Sequence, residues 1–480
     1  MRMSGGGTSR GGRAARSWRS AGSPCRRCSS RSKRCSIWVT PLEEASMPDG
    51  SLTSFMAARA EEIVSACTSC GACVEACPVV PHAGISDAEP GAVAGGVLQV
   101  LRDGGRLDGP SEAWVHQCNG CGACIPACPE GVNPRNMVML AAGKSAETHS
   151  DTPQLFRKMA RAIRLMAAMQ LAPADLARLL QPPKPRSVPV VFYVGCNAVR
   201  TPHLLFNAMY VLDAIEVDYE VLGGPAACCG IIHTKWEGET EAGGRVTDGT
   251  LKRFGDFQPE RVLSWCPSCQ LHIGETVEGY GEAAFAFEHV TGYLVENEGR
   301  LRGLYNTEVP MRVLLHAHEG MADLGRNVAR LLGDVPGLEI AGIAWESGYT
   351  CGGSGQDRSP GLKAERRRAT YAMAEETGAE ALVSLYHGCH AQLSAGAETQ
   401  GPPVVNFTDF LERALGGEPR EDMLSGWRMA GDWQALADKS MPSLERNGVS
   451  VDSEWLASLL PDILTSREFA GGLDELARPR

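Results

Sequence analysis

The sequence predicts a multidomain α+β chain in which a helical, cysteine-rich module is followed by two related α/β repeats. Three observations predict it. Two identical four-cysteine runs lie close together within residues 67–129. A proline-rich stretch, QPPKPRSVP at 181–189, then breaks the pattern of the chain. Beyond it, buried-type strand patterns alternate with helical ones, and the same order occurs twice.

Residues 1–42 hold ten Lys or Arg and no Asp or Glu, so the net charge of −11 leaves −21 on the remainder. This segment has no apolar stretch and does not read as a secretory signal. Its composition predicts that residues 1–50 are a basic disordered tail, or lie upstream of a true start at Met47 or Met56. Cys25 and Cys28 imitate half a zinc site without a second half, and they and Cys35 receive no role. The cysteine-rich module covers 51–150, with a short helix at 55–66 leading into the first run. The 40 residues from Pro78 to Gln117 read as a helix pair between the runs, and 132–143 as a helix after the second. Residues 151–187 form a helical linker; 153–181 has apolar residues at helical spacing, broken at Pro173. Its Met and Leu stripe reads as packing surface.

The first repeat, 188–300, opens on the strand VPVVFYVGC (188–196), continues through a helix at 202–214 and a strand at 217–222, and reaches the strand RVLSWCPSC (261–269). The second, 301–418, has strands at 312–318, 338–343 and 381–390, helices at 321–333 and 361–377, and a glycine-rich turn at 349–355. Residues 419–480 read as a C-terminal helical extension without recognisable chemistry, suited to docking. Alternation of this kind predicts parallel sheets, whose ligands lie at the carboxyl ends of the strands. Cys196, Cys266, Cys269 and Cys389 fall at such ends.

Cys67, Cys70, Cys73 and Cys77 precede Pro78, and Cys118, Cys121, Cys124 and Cys128 precede Pro129. Both runs read Cys-x2-Cys-x2-Cys-x3-Cys-Pro, the ligand run of bacterial ferredoxins with two [4Fe–4S] clusters. The chain is therefore expected to move electrons. Its 18 cysteines cluster at metal spacings and do not form a small disulfide scaffold, so a reducing cytoplasm is expected. No run of 18 or more apolar residues occurs, and any place at the inner face of the cell membrane would come through a partner.

A third constellation follows the linker. Cys196 is separated by 31 residues from Cys228-Cys229-Gly230, and 36 residues separate Cys229 from Cys266, with Cys269 close behind. Five thiolates exceed the four that close a zinc site and suit a larger cluster. This set resembles the cysteine-rich CCG domain of heterodisulfide reductase and of the iron–sulfur subunits of glycolate, lactate and glycerol-3-phosphate oxidising complexes. The module order resembles the D-type subunit of heterodisulfide reductase over about residues 60–415. The resemblance implies a helical two-[4Fe–4S] ferredoxin-type domain followed by two CCG repeats. It implies that Cys196, Cys228, Cys229, Cys266 and Cys269 hold one noncubane [4Fe–4S] cluster able to bind a substrate thiolate and split a disulfide. It also implies interleaved cubanes, one on Cys67, Cys70, Cys73 and Cys128, the other on Cys118, Cys121, Cys124 and Cys77.

The second repeat departs from the pattern. A full copy would carry cysteines near 318, at 350–351, and at 386 and 389; this chain has His318 (or Glu319, if the repeat is aligned on His316), Thr350-Cys351, Tyr386 and Cys389. No second noncubane cluster is expected. Cys351 and Cys389 with His316, His318, His387 and His390 leave two readings, a mixed Cys/His metal site and a degenerate repeat kept for packing and partner binding, and the second is favoured. CGGSG at 351–355 lacks the lysine of a nucleotide loop, no dinucleotide fingerprint occurs, and no flavin or nicotinamide is expected on the chain itself. His233, Lys235 and Trp236, just past the CCG triplet, leave two readings, residues that face substrate and ordinary loop residues, and the second is favoured.

The resemblance implies an oxidoreductase that passes electrons through two cubanes to the CCG cluster, which reduces or forms a disulfide. The alternative is an electron-transfer subunit of a flavoprotein complex oxidising glycolate, lactate or glycerol 3-phosphate. Expected partners are a flavoprotein dehydrogenase, an electron-transfer flavoprotein or a cytochrome b membrane subunit, and a small-molecule disulfide or thiol, with no nucleic acid. A scaffold with purely structural clusters would not need two adjacent cubanes.

Overall fold

The computed structural model describes residues 51–147, 155–234, 239–276, 280, 285–346, 359–394 and 401–465. The basic tail with its three cysteines, and Cys351, Lys235 and Trp236, lie outside the described residues. The described residues all belong to one unit, Ser46–Arg480.

Five helices build the cysteine-rich module: α1 Leu52–Ala66, α2 Ala72–Glu75, α3 Pro90–Asp103, α4 Gly109–Gln117 and α5 Pro134–Ala146. Local chemistry sets their starts. The Ser51 hydroxyl accepts from Ser54 N, the Glu89 carboxylate from Gly91 N, and the Asn133 side chain from Asn136 N, with Pro90 and Pro134 in the first turns. Cys67 and Cys118 are the C-caps of α1 and α4, so each run begins where a helix lets go. The helix pair expected between the runs is α3 with α4.

Next come α6 Leu155–Gln170 and α7 Pro173–Leu180, separated at the Pro173 break. The first α/β repeat follows as β1 Val190–Gly195, α8 Pro202–Ala214, β2 Tyr219–Gly223, α9 Thr240–Gly255, β3 Arg261–Ser264, α10 Pro267–Leu271, β4 Ala286–His289, α11 Val290–Glu296 and α12 Glu298–Leu304. The second is β5 Met311–His318, α13 Ala322–Gly333, β6 Leu338–Glu346, α14 Pro360–Thr377, β7 Ala381–Ser384, α15 His387–Ser394, β8 Val404–Asn406 and α16 Phe407–Ala414. Each sheet has four strands, all paired parallel, in the orders β2-β1-β3-β4 and β6-β5-β7-β8. The two orders are the same, as related repeats require.

The structure corrects the expected strands at two places. RVLSWCPSC is strand only to Ser264; Pro267 starts α10, because it has no N–H to give a ladder and its fixed φ suits a first helical turn. ALVSLYHGCH is likewise strand to Ser384 and helix from His387. Cys269 and Cys389 therefore sit on helices just beyond the strand ends. The short edge strands β4 and β8 have no counterpart in the alternation read from sequence.

The linker and the C-terminal extension are one structure. Helices α17 Met423–Met429, α18 Trp433–Arg446 and α19 Ser453–Thr465 share a core with one face of α6, where Leu165, Met166 and Met169 meet Leu436, Leu444, Leu460 and Ile463. Asn447 Nδ2 donates to the Ala168 and Leu171 carbonyls at 2.9 and 2.8 Å. The other face of α6, with Met159, Ile163 and Ala167, joins the core between the two sheets.

The cysteine-rich module is seated against both repeats. Thr53 Oγ1 packs on Gly244 of α9, and Ser359 Oγ donates to the Gln117 carbonyl at 2.6 Å. Gly320, just after β5, lies so close to the second cysteine run that a Cβ there would overlap the Cys121 carbonyl oxygen. Gly320→Ala is expected to destabilise the fold by roughly 1–3 kcal/mol of overpacking, seen as a lower denaturant midpoint, and to loosen the second run first. An unchanged midpoint measured by urea unfolding would refute this seating.

Candidate metal centres

None of the described cysteines is in a disulfide. Eight of them surround two separate cavities. One is lined by Cys67, Cys70, Cys73 and Cys128; the other by Cys77, Cys118, Cys121 and Cys124. Each thus takes three cysteines from one run and the last cysteine of the other. Burial, then the charges of Cys67 and Cys128, push the Cys73 thiol up to about 12. Burial likewise pushes Cys121 up to about 12 and raises Cys124, with Cys118 the first charged neighbour of Cys124. Four clustered thiolates in such a setting need positive charge among them. An iron–sulfur cluster supplies that charge and takes thiolate ligands, so the donor set fits it. Trp114 donates to Cys77, and Arg135, which donates to the Gly120 carbonyl at 3.0 Å, favours the charged form of Cys121. The spacing of the cysteines pointed to neither residue.

The third constellation lies at the carboxyl ends of β1 and β3, where strand order changes direction and open α/β sheets leave a crevice. Cys196, Cys228, Cys229, Cys266 and Cys269 are all at most 6% exposed. Cys196 Sγ lies 3.9 Å from Cys228 Sγ, and Tyr193 Oη lies 3.5 Å from Cys269 Sγ while donating to the Ala227 carbonyl at 2.9 Å. Thr247 and Thr250, one turn apart on α9, donate to the carbonyls of Cys229 and Cys228, each at 2.7 Å. Hydrogen bonds led by Cys196 hold Cys228 low, and those led by Cys269, with His387 assisting, hold Cys266 low. Cys196 and Cys229, bonded to Cys228, and Cys269, bonded to Cys229 and Cys266, are pushed up by those bonds and by burial. All five can be thiolates together only around a positively charged group, and five sulfurs fit a cluster better than a zinc ion. His272, whose ring nitrogens have no hydrogen-bond partner among the described residues, is held at about 4 by burial beside Cys228.

The second repeat places its residues differently. Tyr193 lies opposite Ser264, the last residue of β3; Leu315 lies opposite Val383, so His316 falls at Ser384, the last residue of β7. In this register Tyr386 and Cys389 match Cys266 and Cys269, and Glu319 matches Cys196. The alignment on His316 is therefore the one the strands adopt. His318 then matches Gly195. A Cβ on Gly195 would come within 2.9 Å of Cys266 Cβ and 3.1 Å of Cys269 Sγ. In the second repeat the His318 ring takes that position, its Nε2 3.2 Å from Cys389 Sγ. The five-cysteine arrangement has no room there. Instead His316, His318 and Cys389, all buried, bring one ligand atom each within 4.8 Å of one another, and Glu346 Oε1 lies 3.7 Å from His316 Nδ1. His387 does not join them; its ring lies beside Cys266 of the first repeat and favours that thiol's charged form.

Two family models match these regions. One, described as a 4Fe-4S dicluster domain, matches residues 62–132; the other, described as the cysteine-rich domain CCG, matches residues 190–274 and 317–394. The chain thus carries a dicluster domain and two CCG domains, the make-up of an iron–sulfur protein like the D-type subunit of heterodisulfide reductase. This CCG protein is 23% identical over 405 residues to the D-type subunit of the dihydromethanophenazine:CoB--CoM heterodisulfide reductase of Methanosarcina barkeri (strain Fusaro / DSM 804), covering 74% of this chain and 94% of that protein. The two domain types and this similarity support an iron–sulfur electron-transfer subunit resembling the D-type subunit of heterodisulfide reductase. Among the described residues, no helix is long and apolar enough to cross a membrane.

Proposed function

We propose that this protein is the redox-active subunit of a disulfide-reducing complex in a reducing cytoplasm. Electrons from a partner subunit pass through two [4Fe–4S] cubanes to a noncubane cluster in the first CCG repeat. Cys67, Cys70, Cys73 and Cys128 hold one cubane, Cys77, Cys118, Cys121 and Cys124 the other, and Cys196, Cys228, Cys229, Cys266 and Cys269 the third cluster. The proposed division is 51–150 for the two-cubane domain, 188–300 and 301–418 for the repeats, with 151–187 and 419–480 as the helical elements that brace them.

The observation that carries this reading is the complete, buried five-cysteine set, three of whose members share one apolar core with the cysteine-rich module: Cys73 belongs to the same cluster of buried residues as Cys229, Cys266 and Cys269, while Cys196 and Cys228 join the core between the two sheets. When bound, the clusters supply one-electron storage and an iron site open to a thiolate. The chain's own residues do the remainder. Thr247 and Thr250 fix the backbone of the adjacent cysteine pair, Tyr193 braces Cys269, and His387 of the facing repeat favours the charged form of Cys266. Cleavage of a disulfide takes two electrons and two protons and yields two thiols. His272 beside Cys228 and His387 beside Cys266 are buried imidazoles next to the cysteine set.

The test uses full-length protein reconstituted anaerobically with iron and sulfide. Oxidation in the presence of a thiol is expected to produce a paramagnetic signal at the five-cysteine site, and the reduced protein is expected to convert a small disulfide to two thiols. A protein that turns over no disulfide or thiol, but is reduced by a hydroxy acid when a flavoprotein dehydrogenase is added, would replace this reading by the electron-transfer one.

A further inference from the structure

A second group of ligating side chains lies away from the cysteines, where the two repeats and the C-terminal helices meet. His203 comes from the first turn of α8, His390 from α15, and Asp422 is the N-cap of α17. One ligand atom from each lies within 4.8 Å of the others. His390 Nε2 is 2.6 Å from Asp422 Oδ2, and His203 Nε2 is 3.8 Å from Asp422 Oδ1. These separations bracket the about 3.3 Å expected between ligand atoms of a tetrahedral zinc ion with metal–ligand bonds near 2 Å.

The partners of each group match those of metal ligands. His203 is 3% exposed, and neither of its ring nitrogens has a hydrogen-bond partner among the described residues. A buried imidazole without partners is a rare arrangement that calls for an explanation. His390 Nδ1 faces Ser384 Oγ at 3.2 Å, the outer hydrogen bond that a metal-bound imidazole ordinarily makes. Asp422 accepts from Ser425 N at 3.0 Å and from Ser425 Oγ, which orients the carboxylate toward the two rings. Its side chain is 24% exposed, giving an ion a route in from solvent and leaving a position for water. The same Ser384–His390–Asp422 chain has the residue types of a hydrolytic triad, but Ser384 is fully buried and also bonded by Asn406 Nδ2 at 3.1 Å, so no substrate reaches it.

We propose that His203, His390 and Asp422 bind a zinc ion that clamps the first repeat, the second repeat and the C-terminal helices together. Two imidazoles and one carboxylate are a borderline donor set that suits zinc. The three ligands come from three segments far apart in the chain, so binding would oppose their separation.

Zinc and iron are measured by mass spectrometry on full-length protein, reconstituted anaerobically and then equilibrated with zinc, in a Cys389→Ser background that removes the other His/Cys group. The parent is expected to hold about one zinc per chain. His203→Gln and Asp422→Asn are each expected to lose it with iron unchanged. A parent without stoichiometric zinc, or variants that retain it, would overturn the proposal. Loss of one iron in place of zinc would overturn the assignment of the metal. A second measurement needs neither site variant: dipicolinate should lower the melting temperature of the parent, and added zinc should restore it. Insensitivity to the chelator counts against the site.

Discussion

Cys229→Ser is expected to lower the iron content of the reconstituted protein from about twelve to about eight per chain, at four irons per cluster. The thiol-dependent paramagnetic signal should vanish, while both ferredoxin-type centres still reduce. The size of the effect follows from the place of this sulfur. Cys229 is 2% exposed, bonded to Cys228 and Cys269, and its carbonyl is held by Thr247 Oγ1. A serine oxygen is a harder and poorer ligand for iron, and no neighbouring cysteine can substitute, because the other four are already ligands of the same proposed cluster. Cys389→Ser should leave both iron content and signal intact. An undiminished signal in Cys229→Ser, or its loss in Cys389→Ser, would move the reactive site away from the first repeat.

The second large effect concerns Cys128. Although this residue closes the second run in the sequence, its side chain lines the cavity of Cys67, Cys70 and Cys73. Cys128→Ser should therefore damage the cubane of the first run and spare the one on Cys118, Cys121 and Cys124. Cys77→Ser should do the reverse. The two cubanes can be separated by redox titration followed by electron paramagnetic resonance, each variant losing a different one. If each variant loses the centre of its own run, the crossing is wrong.

The cysteine sets were readable before any fold was known, because iron–sulfur ligation imposes short, fixed intervals that little else in a sequence imitates. The parallel α/β repeats were readable because strands buried on both faces, such as VVFYVG, are continuous apolar runs. Other features had no local trace. Strands β4 and β8 are four and three residues long, too short for a period to emerge. Whether His318 or Glu319 matches Cys196 depended on strand register, and sequence spacing alone allowed both. His387 sits near Cys389 in the chain yet acts electrostatically on Cys266 across the repeat interface. His203 and Asp422 are 219 residues apart in number and gave no motif at all.

What the sequence determined by itself is the chemistry: thirteen cysteines at ligand spacing, in a chain whose apolar patterns commit it to a helical module and two sheets. Tertiary structure decided which sulfurs share a cavity, which side chains support them, and that the second repeat fills with His318 the space the first keeps open at Gly195. The physical reason is range. Ligand spacing and hydrophobic period act over a few residues and are written locally, whereas cavities and facing side chains arise only when distant segments pack.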